Sequence, residues 1–249
     1  VIFFISIIKF YLLVFLLSHI NYHSKVIHRG DLFSRSYLRM DEQYVWLVWS
    51  LAFLIPWLAV YLITPTYRSV MLKASSITML FGFTEPLFVP DYWSPPSMFN
   101  LALKTGFDIE SLIFCFGIGG IGAVAYNVIT GQKLQTMPLA IRLSKRHAHH
   151  ILAVTTPFIL FPILMLWEWN PIYPAIIAMV AGGIANSLCR TDLALKSIWG
   201  SALFLIYYSV FVLGLESLSP GYIERVWNLD ALSGLFVLHI PIEELLFAA

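Results

Sequence analysis

Residues 111–130, SLIFCFGIGGIGAVAYNVIT, run for twenty positions without one acidic or basic side chain. About 20 apolar residues in helical form cross a hydrocarbon core, and a helix satisfies its own backbone there, where no water is available to do so. Gly117, Gly119, Gly120 and Gly122 follow no strand, so they form no dinucleotide fingerprint; within a span they mean close helix packing. Working outward, the same texture recurs at 44–63, 70–89, 151–167, 172–189 and 197–215, and a last apolar run occupies 231–249. Over the 249 residues, 59% are hydrophobic, 12% are charged and the mean hydropathy is +0.80. Soluble domains carry about 25% charged residues. The expected fold class is all-α: a polytopic integral membrane helical bundle of about seven transmembrane helices, assigned to the bacterial inner (cytoplasmic) membrane.

Fifteen Lys and Arg stand against fourteen Asp and Glu, a formal charge of +1, which gives nucleic acid no electrostatic footing. Cys115 and Cys189 lie in or at the end of apolar runs and read as neither a disulfide framework nor a metal site.

Basic residues concentrate in cytoplasmic loops. Arg68, the segment with Lys133, Arg142, Lys145 and Arg146, and the loop with Arg190 and Lys196 fall on one side, the cytoplasmic one. The opposite loops carry Asp91, Lys104, Asp108, Glu168, Glu224, Arg225 and Asp230, where acid outnumbers base, so residues 44 onward begin outside. Residues 1–20 look membrane-like, but Lys25, Arg29, Arg35 and Arg39 would then lie on the wrong side. The economical expectation is a native start near Met40, with 1–39 an upstream segment. A signal peptide is the alternative, although 1–20 lacks a charged start and a small-residue cleavage site. The run that ends at Leu245, Leu246, Phe247, Ala248 and Ala249 has no polar stop, so the natural protein is expected to continue.

Asp108-Ile109-Glu110-Ser111-Leu112-Ile113-Phe114 overlays Pro241-Ile242-Glu243-Glu244-Leu245-Leu246-Phe247, matching at Ile, Glu, Leu and Phe. Trp93 lies seventeen residues before Glu110 and Trp227 sixteen before Glu243, each after an acidic residue in an outward loop. A three-helix unit used twice is expected, 40–130 and then 131–249, each ending in a carboxylate-bearing helix that enters from the outer side.

Glu243 and Glu244 are adjacent carboxyls in an apolar run, where ionising both costs several kcal/mol, so one is expected neutral or paired. The bland reading puts Pro241 in a first helical turn, with the two acids merely complementing the dipole at the interface. Against it, the apolar or small residues from Leu232 to His239 also demand burial and would place the pair deeper. Glu85 and Glu110 are further acids at outer span ends, either rim residues or site members, and Lys73 snorkels to the inner surface. His147-Ala148-His149-His150 has the wrong spacing for a membrane di-iron centre and reads as a solvated cationic loop; no metal is expected. Most tryptophans are interfacial belt residues, but Trp93 and Trp227 precede the acidic helices and can present ring faces to a cation, an attraction of roughly 2 kcal/mol when desolvated.

Pro241-Ile242-Glu243-Glu244-Leu245-Leu246-Phe247, preceded by Pro220-Gly221-Tyr222-Ile223-Glu224-Arg225-Val226-Trp227-Asn228-Leu229 and Ser233-Gly234, resembles the membrane lycopene cyclase domain family over about 40–249. That family's pattern is a three-helix unit ending in Pro-x-Glu-Glu-x-x-Phe and used twice. The first unit departs from it, with Asp108 for Pro and Ser111 for the second Glu. The resemblance implies non-redox, acid-initiated cyclisation of a linear polyene end group in carotenoid biosynthesis, an intramolecular lyase or isomerase reaction. Such chemistry needs an acid for the terminal alkene, a dry cavity, aromatic faces for the carbocation and a base. Glu243, Glu244 and Glu110 are its expected catalytic residues; Trp227, Trp93, Phe247 and Glu85 line the substrate and steady the cation. No cofactor is implied. The expected partners are a hydrophobic polyene within the bilayer, the lipid itself and a homo- or hetero-oligomeric companion.

Two other functions fit the residues. An intramembrane glutamic protease of the prenyl-processing type carries Glu-Glu-x-x-x-Arg, partly matched by Glu243 to Ala248, with Ala in place of Arg. A non-catalytic membrane carrier with a carboxylate proton relay is the third class.

Overall fold

The computed structural model of the chain describes residues 41–249. The apolar stretch 1–20, its four following basic residues and the expected start at Met40 lie outside the described residues.

Helix α1 (Glu42–Ile63) begins where the Asp41 carboxylate accepts the Gln43 N–H at 3.3 Å, and Glu42 places a negative charge in the first turn. At its other end the Arg68 guanidinium donates to the Tyr61 and Leu62 carbonyls at 2.7 and 3.0 Å, satisfying acceptors that have no helical partner. Helix α2 (Arg68–Met79) passes directly into a 3-10 segment, Leu80–Leu87. The expected span over 70–89 is therefore α-helical only in its first half. Pro86 contributes no N–H there, and Gly82 sits so close to α3 (Ile109–Thr130) that a Cβ would approach Leu112 to 2.8 Å.

Helix α3 starts on Asp108, whose Oδ1 accepts the Ser111 N–H at 2.6 Å, and ends on Gly131 in the left-handed region at φ 72°. Its glycines do what the sequence predicts: a Cβ on Gly119 would collide with the Thr78 side chain, and one on Gly120 with Trp57 and Ser75. The same contact is tied by hydrogen bonds from Thr78 Oγ1 to the Cys115 carbonyl and from Trp57 Nε1 to Ser75 Oγ, both 2.9 Å.

Helices α4 (His150–Leu164) and α5 (Ile172–Cys189) form an antiparallel pair; Asn186 Nδ2 reaches the Ala153 carbonyl at 3.3 Å, and a Cβ on Gly182 would meet Pro157 at 2.9 Å. Helix α6 (Ala194–Leu218) packs against α1 and α3. The core between them is aromatic, with Phe53 stacked on Phe211 at 3.8 Å and joined by Phe114, Tyr207 and Tyr208. On the outside Ile55, Leu58, Ile151, Ile159 and Leu188 are exposed, as lipid-facing positions require. Among the described residues α1, α3, α4 with its preceding turn, α5 and α6 are long and apolar enough to cross a membrane. The chain is a helical membrane protein.

The last run departs from expectation. A single span over 231–249 is replaced by α7 (Tyr222–Val226) upstream, a tight hairpin of β1 (Phe236–Val237) and β2 (Ile240–Pro241), and the short α8 (Ile242–Ala248). Val237 pairs with Ile240, leaving Leu238 and His239 as a two-residue loop with φ of 52° and 67°, the backbone of a type I′ turn. Leu235 to Leu238 are exposed, so burial of that stretch does not carry the glutamates inward. Pro241 is the N-cap of α8 and both acids lie in its first turn. They are buried nonetheless, because residues from α5, α6 and the loops before α3 and α8 close over them.

Candidate active site

The loops at the starts of α3 and α8 meet through a single antiparallel bridge between Trp93 and Trp227. Its hydrogen bonds run from Ser94 N–H to the Val226 carbonyl at 2.8 Å and from Asn228 N–H to the Tyr92 carbonyl at 2.9 Å. Asn170 and Asn228 both donate side-chain N–H groups to the Asp91 carbonyl, at 2.8 and 3.0 Å, which fixes this junction over the start of α5. The two indoles lie 5.6 Å apart at 45°, and Trp46 meets Trp93 edge-on at 5.0 Å.

Below the bridge sits Glu244. Its Oε1 accepts from the Tyr208 hydroxyl of α6, and its Oε2 accepts from the Tyr92 hydroxyl and from Trp227 Nε1, the last at 3.1 Å. Three donors from three separate segments nearly fill what a carboxylate accepts. Because neighbouring helical residues point about 100° apart, Glu243 faces elsewhere. Its Oε1 accepts the Ser233 N–H at 2.8 Å and the Tyr173 hydroxyl of α5 at 2.9 Å, while its Oε2 is buried without a partner.

Glu110, one residue inside α3, has a matching arrangement. Its Oε1 accepts the Met98 N–H at 2.8 Å from the loop upstream and its Oε2 is buried and unpartnered. Ser111, which the overlay equates with Glu244, donates its hydroxyl to Glu85 Oε1 at 2.9 Å; Glu85 Oε2 takes the Asp108 N–H at 3.0 Å. Glu85 thus supplies a carboxylate beside Ser111. Burial pushes the Asp108 carboxyl up to about 6, with the neighbouring Glu110 charge acting in the same direction.

The expected residues accordingly form one connected region. Glu243 and Glu244 are in it with Trp227 and Trp93; Phe114, one turn after Glu110 on α3, has its ring 6.2 Å from Tyr208 and 5.2 Å from Trp46. Glu85 belongs to the α3 end. Phe247 is half-buried and packs against the core rather than entering the ring contacts around Glu244. Tyr92, Tyr173 and Tyr208 were not legible as site residues. Tyr92 adjoins Trp93 in the sequence and offers a weak signal; Tyr208 and Tyr173 sit in ordinary apolar helices, and only the fold brings them to the carboxylates.

At the opposite end of the bundle, Ala148 and His149 are exposed at the surface. His147 and His150 are half-buried, with ring centroids 4.6 Å apart, and both Nδ1 atoms face the buried Cys189 thiol, whereas Lys145 and Arg146 are exposed. The one-turn spacing of the two histidines puts them on one face, and α5 delivers the cysteine.

Comparison with known proteins bears on the second half of the chain. Residues 170–249 match the lycopene cyclase family profile. The match spans α5, α6 and α8 with Tyr173, Tyr208, Trp227, Glu243 and Glu244, and supports a carotenoid cyclase-like domain there. No curated protein and no solved structure gives a significant match.

Proposed function

We propose that this protein is an integral membrane carotenoid cyclase that converts a linear polyene end group to a ring by acid-initiated isomerisation. The observation that carries the reading is the division of labour at the start of α8: Glu244 held by three donors, and Glu243 beside it with a buried free oxygen. The proposed reaction begins when one carboxyl of the Glu243 and Glu244 pair gives its proton to the terminal alkene. The carbocation so formed is attacked by the neighbouring double bond, closing a carbon–carbon bond, and a proton leaves an adjacent ring carbon to restore neutrality. Nothing is oxidised or reduced, so no redox cofactor enters the balance.

In this scheme the Glu244 carboxylate, locked by Tyr92, Tyr208 and Trp227, supplies fixed negative charge opposite the developing cation, and the faces of Trp227 and Trp93 add to it. Glu110, with its own free buried oxygen at the start of α3, is the third carboxyl assigned to the reaction. An apolar polyene reaches the site from the lipid, and the aromatic lining keeps water from quenching the cation. The positive-inside pattern of the loops supports a site at the outer leaflet of a bacterial cytoplasmic membrane.

Expression of the full-length protein in a host that accumulates lycopene, followed by pigment analysis, tests the proposal. The expected result is a cyclised product without added flavin or nicotinamide. Unchanged lycopene in cells that contain well-inserted protein contradicts it.

A further inference from the structure

The inner ends of α4 and α5 hold a second group of reactive side chains, remote from the glutamates. His147, His150 and Cys189 place one ligating atom each within 4.8 Å of one another. The Cys189 Sγ lies 3.7 Å from His147 Nδ1 and 3.6 Å from His150 Nδ1. A tetrahedral zinc ion with Zn–S of about 2.3 Å and Zn–N of about 2.0–2.1 Å has S···N edges of about 3.5 Å. The two observed separations agree with that edge to within a few tenths of an ångström. Cys189 is buried and the two histidines are half-buried.

The local build supports a fixed constellation. The His147 N–H donates to Ser144 Oγ at 3.2 Å, which holds the turn that starts α4. Cys189 ends α5, and Asn186, one turn earlier, is bonded to the Ala153 carbonyl of α4. Arg190, next to the thiol, has its charge matched by Asp192 through two 2.8 Å bonds, and that pairing holds the Asp192 carboxyl below its ordinary value.

We propose that His147, His150 and Cys189 bind one zinc-class divalent cation that staples the inner ends of α4 and α5. Mixed imidazole and thiolate donors select zinc or cobalt over magnesium and calcium, and three protein ligands leave a fourth position for water. The site stands independently of the cyclase reading, since it uses none of the same residues.

The test is metal analysis of tag-free protein purified in detergent from zinc-supplemented cells. About one zinc per chain is expected in the native protein and in Cys115→Ser, with loss to near background in Cys189→Ser and His150→Ala. The native protein provides a second measurement that does not depend on how the variants fold: zinc slows alkylation of Cys189, a chelator restores it, and the rate at Cys115 stays constant. Cobalt loading gives the visible absorption of a tetrahedral thiolate site, lost on zinc addition. Zinc content unchanged by Cys189→Ser, or Cys189 alkylated equally fast with and without zinc, overturns the proposal.

Discussion

Trp93 and Trp227 face each other across an antiparallel backbone bridge with their indoles 5.6 Å apart, yet only Trp227 donates its N–H to Glu244. Trp93 lies seventeen residues before Glu110 and Trp227 sixteen before Glu243, one residue out of exact register, and the bridge brings their loops side by side. Their substitution is therefore expected to have unequal effects. Trp227→Phe keeps a ring but leaves Glu244 Oε2 with Tyr92 alone, and is expected to lower cyclase turnover about tenfold, the scale of one charge-assisted hydrogen bond. Trp93→Phe removes no donor and should cost several-fold less. Turnover measured on membranes normalised for protein content separates the two; equal losses contradict the assignment of Trp227 as the donor.

Tyr208→Phe strips Glu244 Oε1 of the donor it receives from α6. A buried charged acceptor left unpaired costs about 1–3 kcal/mol or more, so the variant is expected to unfold in detergent at a lower temperature than the native protein and to lose activity. Tyr173→Phe leaves Glu243 Oε1 with its Ser233 N–H and should be milder in both respects. Thermal unfolding monitored by a fluorescent thiol or tryptophan signal ranks them.

The two neighbouring glutamates should respond differently to amide replacement. Glu243→Gln replaces the carboxyl that has one free buried oxygen, and turnover should fall by a factor on the order of a hundred or more with the melting temperature nearly unchanged. Glu244→Gln puts an amide N–H₂ against Tyr or Trp donors, so stability falls together with activity. Glu110→Gln is expected to follow the Glu243 pattern. Full activity in both Glu243→Gln and Glu244→Gln makes them helix-start residues only.

Asp108 carries a pH dependence whose sign follows from burial. Its carboxyl is pushed from an ordinary 3.8 to about 6 in the folded protein, so folding favours the protonated form. The associated stability is complete below the unfolded value and is lost as pH rises through the folded one. Asn keeps the cap, since its amide oxygen can accept the Ser111 N–H, but does not titrate. The melting temperature of Asp108→Asn minus that of the native protein should therefore increase between about pH 4 and pH 7. A difference that is flat or falls over that range contradicts the burial argument.

Much of the bundle is readable from periodless apolar runs bounded by charge, because the bilayer enforces span length whatever the packing. Residues 109–130, 172–189 and 194–218 behave this way. The run at 231–249 does not, since hydropathy cannot distinguish a span from an exposed apolar hairpin; the difference lies in Gly234 and in the positive φ of Leu238 and His239. Glu243 and Glu244 are legible because buried acid is expensive. Tyr92, Tyr173 and Tyr208 are not, since a tyrosine in an apolar helix has no marked cost and its partner comes from as far as 152 positions away. Cys189 is missed for the same reason: the histidine spacing is local, but its third ligand is a tertiary contact.

Proton addition from a carboxyl to the polyene end is the centre of the account, and isotopic labelling reads it directly. Membranes containing the full-length protein are incubated with lycopene in deuterium oxide and the products weighed by mass spectrometry. The expected result is a cyclic product in which each ring has exchanged one hydrogen for one deuterium, because the proton donated to the alkene comes from an exchanging carboxyl and a different carbon releases the one that leaves. A cyclic product without solvent deuterium, or one lighter by two hydrogens, contradicts acid-initiated cyclisation by these glutamates.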